Sequence, residues 1–202
     1  VFTSGIIVTG GSIPNLNRHP GEETTLCHEE GDRAMRQSSE GIGSIDQVAV
    51  VVQDLDSAME RYATQLGIGP WDVYTYGPHR MHTMTFRGRD QPYVMKLALA
   101  QVGSTQYELI EPLEGPTTYH EFLEERAEGL HHLGYYVDDI DAEIARMAAL
   151  GHPLLQSGRG FGVDGDGAYA YFDCEAAFGC IVEAITPPRQ MPEPEYTFPT
   201  AR

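Results

Sequence analysis

Two stretches of the chain share one pattern, in which an apolar strand runs directly into an acidic helix start. The first is IDQVAVVVQDLD at residues 45–56, and the second is LHHLGYYVDDID at residues 130–141. A shift of 85 positions places the first stretch on the second, and Gln47 then falls on His132. β-Branched and apolar positions predict a buried strand in each stretch, and the aspartates that follow are typical of a helix N-terminus. The chain therefore contains an internal repeat.

Each copy of the repeat continues with a helix and three or so strands. In the first copy the helix after Asp54 has an apolar face and ends at Gly67. Strands are then predicted at residues 72–76, 81–87, 93–101 and 105–111. In the second copy a helix at 139–150 is followed by strands predicted at 153–156, 168–173 and 180–185. The glycine-rich stretch 158–167 is expected to be a mobile lid or a long hairpin turn.

The pattern divides the chain into a central domain and two extended ends. Residues 1–43 mix Gly, Pro, Asn, Ser and charge without a period. This predicts an arm that is disordered or lies over a partner subunit, in which case the protein would be a homodimer. The central domain is predicted at 44–188, with modules at 45–112 and 130–188 and a linker containing a helix at 113–129. The Pro-rich tail, 189–202, is expected to be extended.

Composition and charge exclude several classes of partner. The formal net charge is −17, from 30 acidic and 13 basic residues, which argues against binding to nucleic acid or an anionic membrane. No run approaches the about 18 apolar residues that span a membrane. The three cysteines, Cys27, Cys174 and Cys180, show no CxxC spacing, so neither a disulfide framework nor a zinc knuckle is expected. A reducing compartment, the cytoplasm, is therefore the expected location.

Strand alternation decides which side chains face the interior between the two modules. Half sheets of this kind close by packing side by side, which makes a curved sheet with a cup. Alternation places Gln47 and His132 on equivalent faces of equivalent strands, and it places His131 on the opposite face. On its own, His132 would more often be a core histidine than a ligand. Its correspondence with Gln47 favours a site inside the cup.

Two glutamates provide a second correspondence between the modules. Glu108 lies four residues before Pro112, and Glu183 lies four residues before Pro187. If the strand faces that carry Gln47, His132 and the two glutamates all line the cup, the cup holds an amide, an imidazole and two carboxylates. Buried carboxylates without partners are very costly, and a divalent cation would offset that cost. Nitrogen and oxygen ligands suit zinc, iron, manganese, cobalt or nickel.

These features resemble the vicinal oxygen chelate superfamily. LHHLGYYVDDID and IDQVAVVVQDLD are similar to the opening strands of its methylmalonyl-CoA epimerase and glyoxalase I branches, and the resemblance covers about residues 45–187. It implies an α+β fold, in which two βαβββ modules form a curved mixed sheet with a metal-centred cup. The metal ligands it implies are Gln47, Glu108, His132 and Glu183. This set is similar in type to the zinc set of eukaryotic glyoxalase I, so zinc is slightly favoured over the other metals.

The resemblance also implies a reaction class. The chain would be a metal-dependent isomerase, epimerase or lyase that removes a proton from carbon next to the carbonyl of a small-molecule substrate. Glu183 or Glu108 could leave the metal and take the proton, and Lys96 is an alternative base because it stands where epimerases place a glutamate. Two alternatives remain on the same fold. One is an Fe(II) ring-cleaving dioxygenase, and the other is a non-catalytic protein that binds small molecules, as in antibiotic resistance.

Overall fold

A computed structural model describes residues 41–199, and the two copies of the repeat are recognisable in it. The first copy consists of β1 (Gln47–Val51), α1 (Leu55–Leu66), β2 (Trp71–Tyr76), β3 (Thr83–Phe86), β4 (Arg89–Asp90), β5 (Val94–Val102) and β6 (Thr105–Glu114). The connecting helix is α2 (Thr118–Arg126). The second copy consists of β7 (Gly129–Tyr136), α3 (Ile140–Ala149), β8 (Leu154–Phe161), β9 (Gly167–Phe172), α4 (Glu175–Phe178) and β10 (Ile181–Thr186). A final strand, β11, spans Tyr196–Phe198.

The strands form one mixed sheet in the order β11-β2-β5-β6-β1-β7-β10-β9-β8-β3-β4. In each copy the first strand pairs in parallel with the last one, β1 with β6 and β7 with β10. The two copies meet where β1 pairs with β7 in antiparallel orientation, with Gln47 opposite Gly134 and Ala49 opposite His132. The α+β fold with a curved mixed sheet is therefore as predicted. The four central strands, β6, β1, β7 and β10, bring residues of both copies to the same place.

The helix starts repeat as the sequence indicates. The Asp54 carboxylate accepts a hydrogen bond from the Ser57 amide and caps α1. The Asp139 carboxylate accepts bonds from the amides of Asp141 and Ala142 and caps α3. These side chains satisfy amide groups that a helix start leaves without intrahelical partners. The acidic residues after each opening strand are therefore caps, and they take no part in the candidate site.

Two local features differ from the sequence analysis. The hairpin β3–β4 belongs to the first copy in sequence, yet β3 pairs with β8 of the second copy. The glycine-rich stretch 158–167 contains a hairpin turn, the second of the two predicted alternatives, but the turn is shorter than predicted, because residues up to Phe161 belong to β8 and Gly167 begins the antiparallel strand β9. Gly158 serves close packing, since a Cβ there would lie 2.4 Å from Cε1 of Tyr169. Only residues 162–166 form the turn.

The ends of the chain are described in part. The predicted arm at 1–43 lies outside the described residues except for 41–43, as does Cys27. In the tail, β11 pairs with β2, and Tyr196 Oη donates a 2.7 Å hydrogen bond to Asp56. Cys174 and Cys180 are free thiols. Within residues 41–199, no helix has the length and apolarity needed to cross a membrane.

Candidate metal centre

His132 lies at the centre of the four predicted ligands. It is fully buried on β7 and pairs with Ala49 on one side and Ile181 on the other. Its Nε2 is 3.0 Å from Oε2 of Glu183, 3.5 Å from Oε2 of Glu108 and 3.4 Å from Oε1 of Gln47. The three partners are also buried. The structure thus brings together all four side chains that the repeat singles out.

A further amide, missed in the sequence analysis, orients Gln47. The Gln47 side chain donates a 2.7 Å hydrogen bond from Nε2 to Oε1 of Gln106. This bond directs Gln47 Oε1 toward His132, so the amide offers its oxygen to the site. Gln106 lies on β6 two residues before Glu108, and strand alternation therefore puts both on one face. That spacing was the signal available in the sequence.

The charges of the site are coupled. Burial lowers the pKa of His132, but the charges of Glu183 and Glu108 and the short contacts of their carboxyl groups with Nε2 outweigh it and raise the pKa to about 9. Burial raises the pKa of Glu183 above its ordinary value, although the positive charge of His132 opposes the shift. This raised pKa favours a proton on His132 Nε2, and that proton lies between Gln47, Glu108 and Glu183.

The donor set fits a divalent cation. Metal–ligand distances of about 2.1 Å separate neighbouring ligand atoms by roughly 3.0–3.4 Å, close to the distances from His132 Nε2 to the three oxygens. Glu183 Oε2 is buried and has no hydrogen-bond partner in the described part of the chain, since its contact with His132 lacks hydrogen-bond geometry. No three His, Cys, Asp or Glu side chains among residues 41–199 already stand around one point as a metal site. Binding therefore requires the Nε2 proton to leave and the carboxylates to adjust.

His131 is not on the opposite face, and this corrects the expectation from simple alternation. The register of β7 against β1 steps from His132 opposite Ala49 to Leu130 opposite Val50, so His131 is the extra residue of a β-bulge. The bulge turns its side chain beside that of His132, with 2.9 Å between the two Nδ1 atoms. His131 is buried as well.

Lys96 does not reach the site. Its Nζ lies 3.7 Å from Asp56 Oδ1 and over the ring of Tyr196, on the face of β5 that carries α1. Burial lowers the pKa of Lys96, but hydrogen bonding to Tyr196 and the charges of Asp56 and Glu111 raise it above its ordinary value. The structure therefore places Lys96 away from the candidate site, against the prediction that it stands where a base would act. On the face toward the site, β5 presents Met95, Leu97 and Leu99.

A cavity of about 180 Å³ lies against the four side chains. Its walls are mostly apolar and aromatic, and they include Tyr76, Met81, Phe161, Ile185 and Met191. Within the described chain, the carboxylates lining it are those of Glu108 and Glu183. Trp71 and Phe86, two aromatic residues of the first copy, do not line this cavity. Pro187 and Pro188 at the end of the central domain and Met191 in the tail also line it, a contribution that the sequence did not indicate.

Comparison with known proteins agrees with this architecture. An ethylmalonyl-CoA/methylmalonyl-CoA epimerase of Cereibacter sphaeroides is 30% identical over 121 residues, which cover 58% of this chain and 78% of that protein. The uncharacterized protein YqjC of Bacillus subtilis is 24% identical over 143 residues, 71% of this chain and 91% of that protein.

Solved structures of methylmalonyl-CoA epimerases share the fold. The Mycobacterium tuberculosis protein is 24% identical with a TM-score of 0.54, and the alignment covers 72% of this chain and 89% of that one. A Streptomyces coelicolor protein in complex with 2-nitronate-propionyl-CoA is 19% identical with a TM-score of 0.55, and the alignment covers 72% of this chain and 98% of that one. The family model of the glyoxalase/bleomycin resistance protein/dioxygenase superfamily matches residues 46–172. The chain belongs to this family, the vicinal oxygen chelate superfamily.

Proposed function

We propose that this protein is a metal-dependent epimerase or isomerase that removes a proton from the carbon next to the carbonyl of an acyl thioester. The observation that carries the proposal is the convergence of Gln47, Glu108 and Glu183 on Nε2 of His132, beside an apolar cavity. The similarity to an ethylmalonyl-CoA/methylmalonyl-CoA epimerase supports the substrate class.

The proposed ligands are Gln47, Glu108, His132 and Glu183. A divalent metal bound there, with zinc slightly favoured, supplies a positive charge that polarises the substrate oxygens and stabilises the enolate. Gln47 contributes a neutral oxygen, so the set carries two negative charges that match a divalent cation. These residues hold the cation next to the cavity.

The proton acceptor in this proposal is one of the two buried carboxylates. Glu183 is the stronger candidate, because burial raises its pKa toward the range in which a carboxylate accepts a proton readily. Glu108 comes from β6 of the first copy, whereas Glu183 comes from β10 of the second. We infer that one carboxylate removes the α-proton and that the other, protonated from solvent, returns its proton to the opposite face, which inverts the carbon. Release of the abstracted proton to solvent then restores the first carboxylate.

The cavity limits how much of a thioester enters the site. Its volume of about 180 Å³ is below the about 300–1,000 Å³ typical of pockets that enclose drug-sized ligands. The acyl group and the thioester therefore lie inside, whereas the rest of a coenzyme A conjugate extends out of the cavity. The apolar walls exclude water from the enolate.

Solvent deuterium exchange tests this function. Protein reconstituted with zinc, cobalt, nickel, manganese or iron is incubated in D₂O with methylmalonyl-CoA or ethylmalonyl-CoA, and the α-carbon is followed by NMR. Deuterium is expected at that carbon, and Glu183→Ala is expected to abolish its appearance. Absence of exchange from fully metal-loaded protein with both thioesters would overturn the proposal.

The same samples separate the alternative functions. A ring-cleaving dioxygenase typically uses two histidines and one carboxylate, whereas this set has one histidine and two carboxylates. Oxygen consumption with a catechol by the iron-loaded protein would favour that class. A non-catalytic binding protein would bind the thioester without exchanging its α-proton.

A further inference from the structure

The unusual neighbour of the site is a second buried histidine. The β-bulge in β7 places His131 beside His132, and their Nδ1 atoms are 2.9 Å apart. At that distance one nitrogen carries the proton and the other accepts it. Which nitrogen donates decides which nitrogen of His132 remains free for a metal.

The proposed role of His132 determines the direction of this hydrogen bond. A histidine binds a metal through a nitrogen that carries no proton, and His132 Nε2 is the nitrogen that faces Gln47, Glu108 and Glu183. The ring proton of the ligand is then on Nδ1, the nitrogen that faces His131. His132 Nδ1 is therefore the donor, and His131 Nδ1 is the acceptor.

Aromatic packing holds the His131 ring in this orientation. The ring centroids of Tyr119, Phe122 and Tyr171 lie 5.1, 5.4 and 5.7 Å from that of His131. Tyr171 also lies against His132, with ring centroids 4.7 Å apart. The two imidazoles therefore share one aromatic wall, and rotation of either ring would break several contacts.

We propose that His131 is the positioning residue of the metal centre. It accepts the Nδ1 proton of His132 and so keeps His132 Nε2 directed at Gln47, Glu108 and Glu183 as the ligand atom. Carboxylates and backbone carbonyls commonly fill this role for metal-bound histidines, and here a neutral imidazole fills it. This inference rests on the proposed function, because it assigns a role within the same metal site.

Two variants separate the hydrogen bond from simple packing. His131→Asn retains an acceptor oxygen near the position of Nδ1, whereas His131→Phe retains an aromatic ring and removes the acceptor. Metal-free protein is titrated with Co²⁺ and Zn²⁺, and the absorption of bound Co²⁺ reports the ligand geometry. His131→Phe is expected to weaken metal binding by about 10–100-fold, and His131→Asn by much less. A purely structural role predicts that the aromatic variant binds at least as tightly as the asparagine variant, and that result would overturn the proposal.

A measurement on metal-free protein keeps this inference distinct from the proposed function. In protein labelled with ¹⁵N-histidine, a slowly exchanging proton bonded to His132 Nδ1 and coupled across the hydrogen bond to His131 Nδ1 is expected. Its absence, or its attachment to His131 Nδ1, would overturn the proposed direction of the bond. If the proton is present but wild-type protein binds no metal, the proposed function fails and the positioning role fails with it, while the hydrogen bond itself stands.

Discussion

Gln47 and His132 are 85 residues apart in the chain, and Gln47 Oε1 lies 3.4 Å from His132 Nε2 across the junction of β1 and β7. The two residues occupy equivalent positions in the two copies of the repeat. Because β1 and β7 are antiparallel neighbours, equivalent positions on them meet near the centre of the sheet. The last strand of each copy then supplies a glutamate from either side.

Gly134 leaves the space that Gln47 occupies. It lies opposite Gln47 in β7, and a Cβ there would be 3.0 Å from Gln47 Cβ and 3.1 Å from Gln47 Oε1. Gly134→Ala should therefore displace the amide and weaken metal binding by roughly tenfold or more, because a displaced ligand contributes less to the site. Metal titration of the metal-free protein measures this effect.

Gly129→Ala is the matched control in the same strand. A Cβ at Gly129 would meet only the Phe122 ring, at 3.5 Å or more, which is an ordinary contact. Its metal affinity should equal that of the wild type. Equal affinity of the Gly134→Ala protein would show that Gln47 is not a ligand.

Lys96→Ala should retain turnover within about twofold, because the side chain lies on the helix-bearing face of β5. Its ion pair with the exposed Asp56 is of the kind that contributes less than about 1 kcal/mol, so only a small loss of unfolding free energy is expected. Deuterium exchange into methylmalonyl-CoA measures turnover. A Lys96→Ala protein that folds normally, binds metal and shows no exchange would reinstate Lys96 as a candidate base.

The metal-free protein should lose stability as the pH rises. The pKa of His132 in the folded state, about 9, lies above the ordinary value of 6.5. Protonation of His132 therefore stabilises the fold fully below pH 6.5, and this contribution is lost as the pH rises through about 9. The urea midpoint of chelator-treated protein should fall across this range.

The metal-loaded protein provides the comparison for the pH effect. A cation bound to Nε2 replaces the proton, so the midpoint of zinc-loaded protein should change much less between pH 6.5 and 9. The His132→Gln protein, which lacks the titrating group, should also lose the alkaline decline. A midpoint in metal-free wild type that stays constant over this range would contradict the assigned charge state of the site.

Met191→Ala should enlarge the cavity from its tail side. Met191 lines the cavity and packs against the buried apolar cluster that includes Tyr76, Met81 and Ile185. Loss of part of this half-buried methionine side chain weakens apolar contacts by about 1–2 kcal/mol, so KM for the thioester should rise roughly 5–30-fold. Metal content should stay unchanged. Leu150→Ala, at an exposed position, is the control, and equal KM values for the two variants would show that the tail does not contact substrate.

The sequence was sufficient to predict the repeat and the four side chains that converge. Both predictions follow from strand alternation and from the 85-residue shift that places Gln47 on His132. It was insufficient for His131, since a bulge reverses alternation locally and depends on the pairing with β1. The sequence also did not show that Lys96 lies on the face of β5 that points away from the cavity. Ala98 and Met95 are both buried, so β5 is covered on both faces and its hydrophobic pattern does not reveal which face meets the cavity.

Pairing between residues far apart in the chain accounts for the other differences between the predictions and the structure. The hairpin β3–β4 carries no sequence signal for its partner β8, because a partner strand is chosen by the packing of the whole sheet. The tail reaches the cavity through contacts of the same kind, including the bond from the Val163 amide to the Gln190 carbonyl. These contacts depend on the folded positions of both copies.

The most direct test of the central claim is anaerobic metal analysis of wild-type, Gln47→Ala and Glu183→Ala proteins after reconstitution and removal of free metal. The wild type should hold one equivalent of a divalent metal, and each variant should hold much less at the same free metal concentration. Wild-type protein without stoichiometric metal, or variants that retain a full equivalent, would contradict the assignment of Gln47, Glu108, His132 and Glu183 as one metal centre.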